Sequence, residues 1–259
     1  MPVKFFIFSL FFSCILFPAK AQEIIVTHSL CNTPVHIVMM QTQDAAKGFY
    51  FINVHEDETT GIEAAEEFVQ DSGGVFIYLK HGQTRNINFN CDGNKYAFDP
   101  NRIYSDSGRM SSLKRLSASY NPYTDSITAN FANNFLSLIN NPKHIIALHN
   151  NTDENYSVKS YLKGGSEYGN AQKIYINKKL DTDDFIFTTD ENIFRECKKL
   201  KLNVALQDNE DCFDDGSLSV YFGRENISYT NIEAQHTHLQ QQKEMINAVW
   251  KIIKENTVQ

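Results

Sequence analysis

Apolar, β-branched runs alternate along this chain with stretches whose apolar residues recur every three or four positions. Val35 to Met40 and Phe49 to Val54 predict strands. The second is almost wholly apolar, which places it centrally in a sheet covered on both faces. Thr60 to Gln70 carries small and acidic residues at helical spacing. Val75 to Leu79 and Arg85 to Phe89 read as two strands around the turn residues His81-Gly82. Ser126 to Asn140 predicts an amphipathic helix with Pro142 just past its end, and His144 to Leu148 predicts a short buried strand that stops at His149.

Further along, Phe185 to Thr188 and Asn203 to Leu206 predict brief strands separated by a helix over Glu191 to Leu200. Leu218 to Phe222 and Tyr229 to Glu233 read as strands. Leu239 to Lys254 predicts a closing helix with Met245, Ile246, Val249, Trp250 and Ile253 on one face. Strands alternating with helices predict an α/β fold with a mixed, mostly parallel central sheet flanked by helices. Ligands of such sheets collect beyond the carboxyl ends of the strands, and His55, His149 and Glu233 all stand at predicted strand ends.

The start of the chain reads differently. Lys4, the apolar run Phe5 to Phe17 and the small residues of Ala19-Lys20-Ala21 have the layout of a cleaved export signal over residues 1–21. The run is too short to cross a bilayer comfortably, since a helix needs roughly 20 apolar residues. No stable membrane anchor is therefore expected after cleavage, and the mature protein is expected outside the cytoplasm. Residues 22–259 contain no Pro/Gly/Ser-rich linker and no internal repeat, so a single domain is expected, long enough to bury a large core.

Charge narrows the partners. With 24 Lys+Arg against 31 Asp+Glu the chain is acidic, which disfavours nucleic acid as a partner. Beyond the leader, Cys31, Cys91, Cys197 and Cys212 permit up to two disulfides in an exported protein. None has C-x-x-C spacing, so thiolate ligation of zinc is not expected.

The remaining chemistry is carried by a few short runs. In His55-Glu56-Asp57-Glu58 the histidine and Glu58 are three residues apart, so a turn leaving a strand can aim both at one ion. Two histidines and a glutamate are a common catalytic zinc set. The same acidic run would also suit a plain helix start. His149, delivered by a buried strand, supplies a third ligand. Asn101-Arg102, within Phe98 to Tyr104, offers a planar guanidinium fork that fits a carboxylate. Arg85 is a second cation, suited to polarising a carbonyl. Glu233 in Ile232-Glu233-Ala234 is a carboxylate placed to act as general base and then acid.

In this order the runs His55-x-x-Glu58, Arg85, Asp99-Pro100-Asn101-Arg102-Ile103-Tyr104, His149-Asn150-Asn151-Thr152 and Ile232-Glu233-Ala234 resemble the zinc carboxypeptidase-type (M14-like) hydrolases, near the aspartoacylase and succinylglutamate desuccinylase branch. The resemblance covers roughly Phe51 to Glu233 and implies a zinc-exopeptidase-like fold. It implies Zn2+ on His55, Glu58 and His149, a substrate carboxylate on Asn101 and Arg102, an oxyanion at Arg85, and water activation by Glu233. The substrate so implied is a carboxylate-bearing peptide or N-acyl amino acid. The chain departs from the branch where Glu56-Asp57 stands in place of a glycine soon after the first histidine, and where Pro100 follows Asp99 in place of leucine. Two other classes stay open: an inactive relative that binds a peptide or glycan, and a secreted interaction protein binding calcium on the acidic Asp208 to Asp215 loop.

Overall fold

The computed structural model describes residues 21–42, 48–153 and 155–257. The export signal expected over residues 1–21 lies, apart from Ala21, outside the described residues.

Eleven strands are described: β1 (Gln22–Leu30), β2 (Thr33–Gln41), β3 (Phe49–Asn53), β4 (Val75–Lys80), β5 (Ile87–Cys91), β6 (Asn94–Phe98), β7 (His144–Asn151), β8 (Ala171–Tyr175), β9 (Phe185–Thr188), β10 (Val204–Gln207) and β11 (Ser228–Gln235). The helices are α1 (Thr59–Ser72), α2 (Asp106–Leu116), α3 (Pro122–Ser137), α4 (Glu191–Lys199), α5 (Leu218–Arg224) and α6 (Leu239–Thr257). Nine strands form one mixed sheet in the order β1-β2-β4-β3-β7-β11-β9-β10-β8, and β5 and β6 form a separate ribbon. The middle of the sheet, β4-β3-β7-β11, is parallel throughout, as predicted.

The sheet is covered on both sides, and the side-chain alternation of its strands feeds two cores. On β7, Ile146 and Leu148 face one core with Phe51, Phe68, Ile232 and Trp250, under α1, α4 and α6. Ile145 and Ala147 face the other with Ile52, Phe98, Phe131 and Tyr229, under α2, α3, α5 and the ribbon. His149 continues the second set. All eight residues of β7 are buried, which accounts for its apolar run from Ile145 to Leu148. Helix α1 lies close on β7: a Cβ on Gly61 would stand 3.3 Å from the Leu148 Cβ, and the Gly61 N–H donates to Asn150 Oδ1 at 2.9 Å.

Two predicted strands fall differently. Arg85 to Phe89 is not the partner of Val75 to Leu79: Arg85 lies in a loop, and β5 pairs instead with β6. The deciding signal is Asp92-Gly93, a two-residue turn with φ of 49° and 79°, which closes a tight hairpin of the primed type. Leu218 to Phe222 is helix α5, not a strand. Its apolar alternation mimics a strand, but the Ser217 side chain accepts the Val220 N–H and starts a helix whose Leu218, Val220 and Phe222 are buried. The other predicted elements are present, with α3 beginning earlier, at Pro122. Strand β7 runs past His149 to Asn151.

Cys31, in the β1–β2 turn, is bridged to Cys91 at the end of β5, while Cys197 and Cys212 are free and buried. Among the described residues no helix is long and apolar enough to cross a membrane.

The bridge closes a loop spanning a sequence separation of 60 residues. A Cys31→Ala/Cys91→Ala double variant is expected to lose about 2–4 kcal/mol of stability, read as a lowered denaturant midpoint. A loss under about 0.5 kcal/mol would show that the ribbon is held by packing alone.

Candidate metal centre

The site is assembled from three crossings of the sheet. His55 follows β3, and a turn in which the Glu58 N–H donates to the His55 carbonyl brings Glu58 to the start of α1. His149 sits on β7. Glu233 on β11 is its register partner across a parallel pairing, so both side chains leave the same face.

His55 and Glu58 are almost completely enclosed, at 0% and 2% exposure. His55 Nδ1 lies 2.8 Å from Glu58 Oε1, His149 Nδ1 lies 2.8 Å from Glu58 Oε2, and the two Nδ1 atoms are 3.2 Å apart. Two imidazoles and a carboxylate thus present their donor atoms to one point, spaced like the ligands of a single small cation. The other ring nitrogen of His55, Nε2, donates to Asp99 Oδ1 at 2.8 Å. That carboxylate is itself placed by the Asn101 N–H at 2.9 Å, while the Asp99 N–H donates to Ser112 Oγ. Such an outer carboxylate fixes the ring's tautomer and leaves Nδ1 free to ligate. The donor set therefore fits a divalent metal.

Burial alone would lower the His55 pKa, but Glu58 and Asp99 outweigh it and push it up to about 9. Burial would raise Glu58, yet His55 and His149 hold it well below the usual carboxylate range. Glu233 behaves oppositely. Burial raises it and Glu58 adds to the rise, while His149, the Asn231 Nδ2 donation to its Oε1 at 2.9 Å and Arg85 oppose this only in part.

Glu58, His149, Arg85, Asn101, Arg102 and Glu233 all line one cavity of about 470 Å³, with His55 enclosed behind it. Arg85 donates from Nη1 to Glu58 Oε1 at 2.6 Å and reaches within 3.8 Å of Asp99. It rests on the ligand carboxylate at the rim. Arg102 donates to the Asn101 carbonyl at 2.7 Å, and its Nε lies 3.4 Å from Asp215. Asn101 Oδ1 accepts the Leu218 N–H at the start of α5, which fixes the pair's loop. That loop packs tightly: a Cβ on Gly216 would stand 2.7 Å from the Arg102 carbonyl oxygen.

Sequence reading missed Asp99 as the partner of His55, although it stands in the Asp99-Pro100-Asn101-Arg102 run. It also missed Tyr156, Tyr161 and Glu167, which line the cavity from the segment after β7 and carry no motif. Among the described residues no three carboxylates of the acidic loop bring their oxygens within 4.8 Å of one another. Asp214 accepts from Ser105 and Arg224, and Asp208 accepts the backbone N–H groups of Glu210 and Asp211. A second grouping, Asp181, Asp184 and His238, is tied up by the His238–Asp184 contact at 2.9 Å and by the Gln235 N–H.

No family model and no curated protein matches the sequence. Solved structures do. Thrombin activatable fibrinolysis inhibitor aligns at 12% identity with a TM-score of 0.53, over 92% of this chain and 69% of that one. An aspartoacylase family protein from Mesorhizobium loti aligns at 14% and 0.47, over 94% and 69%. The murein-tripeptide amidase of Escherichia coli O157 aligns at 11% and 0.46, over 92% of both chains. The first likeness establishes the architecture: the chain has the zinc carboxypeptidase-type fold that the sequence resemblance implied.

Metal ligation through His55 Nδ1 requires the loss of one proton that the neighbouring carboxylates hold up to about pH 9. Competition titration with a chelator should therefore show zinc affinity rising about tenfold per pH unit below that point and flattening above it. A pH-independent affinity would contradict one-proton release. The His149→Ala variant is expected to retain less than about a tenth of the wild-type zinc. Equal zinc in both proteins would show that the ligand set is wrong.

Proposed function

We propose that this protein is an exported zinc-dependent hydrolase that cleaves an amide bond in a carboxylate-bearing peptide or N-acyl amino acid. The observation that carries the reading is the convergence of the His55, Glu58 and His149 donor atoms beside Glu233, in a cavity that Arg102 also lines.

His55, Glu58 and His149 would hold the zinc. When bound, zinc supplies Lewis acidity, lowering the pKa of a water and polarising a carbonyl oxygen. The other steps belong to side chains of this chain. Arg102, with Asn101 beside it, takes a substrate carboxylate in its fork and sets the scissile amide in register. Glu233 draws a proton from water at one carboxylate oxygen and returns it to the departing nitrogen. Its burial raises its pKa, which improves it as a base. Arg85 adds positive charge where negative charge develops on the carbonyl oxygen. Enclosure of His55 and Glu58 keeps bulk water away from the ligand shell. Residues 1–21, read as an export signal, would carry the protein out of the cytoplasm, and the acidic balance of the chain disfavours nucleic acid as a partner.

Glu233→Gln keeps the shape of the side chain and removes the base. Zinc content is expected to stay at wild-type level while kcat on a cleaved N-acyl amino acid or peptide falls by about 10²–10⁴-fold. Wild-type kcat/KM is expected to rise with pH through the elevated pKa of Glu233. If zinc-loaded wild type cleaves no amide across a panel of both substrate types, the protein is a binding member of this fold rather than a hydrolase.

A further inference from the structure

One buried side chain on α6 breaks the pattern of its helix face. Met245, Ile246, Val249, Trp250 and Ile253 are apolar and buried, and Gln242, one turn before Ile246, continues their stripe at 0% exposure. A buried amide is costly unless its donor and acceptor atoms are met. Here they are. The Gln242 Nε2 donates to the His149 carbonyl at 3.2 Å and to the Ile232 carbonyl at 3.3 Å, and its Oε1 accepts from Asn150 Nδ2 at 2.8 Å.

The orientation of these two amides is fixed from α1. The Gly61 N–H can only donate, so Asn150 turns its Oδ1 to it, at 2.9 Å, and its Nδ2 faces Gln242 Oε1 and the Ala234 carbonyl, the latter at 3.2 Å. Gly61 stands one turn after Glu58, whose carbonyl its N–H also approaches, at 3.2 Å. A Cβ on Gly61 would stand 3.4 Å from Gln242 Nε2, so helix, strand and amide meet at one place. β3 pairs with β7 only as far as Ala147, and at His149 the strand neighbour is β11 alone. The amides therefore anchor the ligand's stretch of β7 where one side of its strand pairing has ended.

From this convergence we infer that Gln242 is a positioning residue of the metal centre. With Asn150, its amide ties the backbone of His149 to β11 beside Glu233 and to α1 one turn after Glu58, and so sets how far those three side chains stand apart. It acts from behind the sheet: Ile232 and Ala234 face the core under α6, whereas His149 and Glu233 leave the other face. The inference rests on His149 being a ligand, as the hydrolase reading does, but on no reaction. A shift of a ligand's backbone moves its donor nitrogen, and metal affinity depends steeply on that placement.

The test is metal binding by the full chain, with zinc and cobalt(II) as the probes and no substrate. Gln242→Met keeps the length of the side chain and removes the amide. Its zinc affinity, from chelator competition, is expected to fall about tenfold. The visible spectrum of its cobalt(II)-loaded form, which reports the arrangement of ligands about the ion, is expected to change. Val249→Ala, about two turns further along the same buried stripe, is the control for lost packing. It should lower the denaturant midpoint yet leave zinc affinity within about twofold and the cobalt spectrum as in wild type. Gln242→Asn, whose amide is one methylene short, should change both readings in the same direction and decides the matter if the methionine variant does not fold. Wild-type affinity and spectrum in the Gln242 variants, or equal changes in Val249→Ala, would overturn the inference. If His149→Ala loses its zinc while Gln242→Met behaves as wild type, this inference alone fails. If His149→Ala keeps its zinc, the ligand set fails and the inference with it.

Discussion

The Glu58 carboxylate is the constraint around which the rest is arranged. It is 2% exposed, and a carboxylate withdrawn from water costs several kcal/mol unless its oxygens are fully paired. Here His55 and His149 contact its two oxygens and Arg85 donates to one of them. Each partner comes from a different part of the chain, so satisfying this one group requires β3, β7 and the loop before β5 to be in place together. His55 in turn depends on Asp99, which the ribbon and Ser112 of α2 hold in position. The bridge from Cys31 to Cys91 ties that ribbon to the β1–β2 turn. A peripheral hairpin is thereby coupled to the orientation of a ligand deep in the fold.

How much of this could be read from the sequence follows from which signals are local. Strands β3 and β7 were legible because burial on both faces demands an unbroken apolar run, and α6 because its buried residues recur at helical spacing. The seven proposed site residues were legible as short runs, and the fold brings them to one place. What escaped was set by tertiary context. Leu218 to Phe222 alternates like a strand, and only the Ser217 cap and the packing of Leu218 and Phe222 under Tyr229 decide for helix. Strand β1, with its largely exposed side chains, has no buried face to write a period-two pattern into the sequence. Asp99 meets His55 and Glu167 reaches the cavity only through where the chain returns in space, and their neighbours in sequence do not announce it.

The face on which the site forms is decided by parity. Tyr229, Asn231 and Glu233 share one side of β11, as Ile145, Ala147 and His149 share one side of β7, and the parallel register sets Glu233 against His149. A slip of one residue would turn Glu233 into the opposite core, among Ile232, Ala234 and the residues of α6. The apolar residues that fix the register are therefore what place the proposed base beside the proposed ligand. Mutations that loosen this pairing would act on chemistry through geometry, with no contact to substrate.

Two glutamates are buried to similar degrees in this site, yet the surroundings drive them in opposite directions. Glu58 meets two imidazoles and a guanidinium, which overcome the cost of burial and hold it ionised, the state a metal ligand needs. Glu233 is lowered by His149, one amide N–H and Arg85, but it makes no contact as close as those of Glu58 and feels that residue's negative charge, so burial prevails and its pKa rises. Exchanging their neighbours would exchange their roles, because the side chains are chemically the same. The division of labour between a ligand and a proton carrier thus resides in the partners, and the partners are set by strand register and by the turn that follows β3.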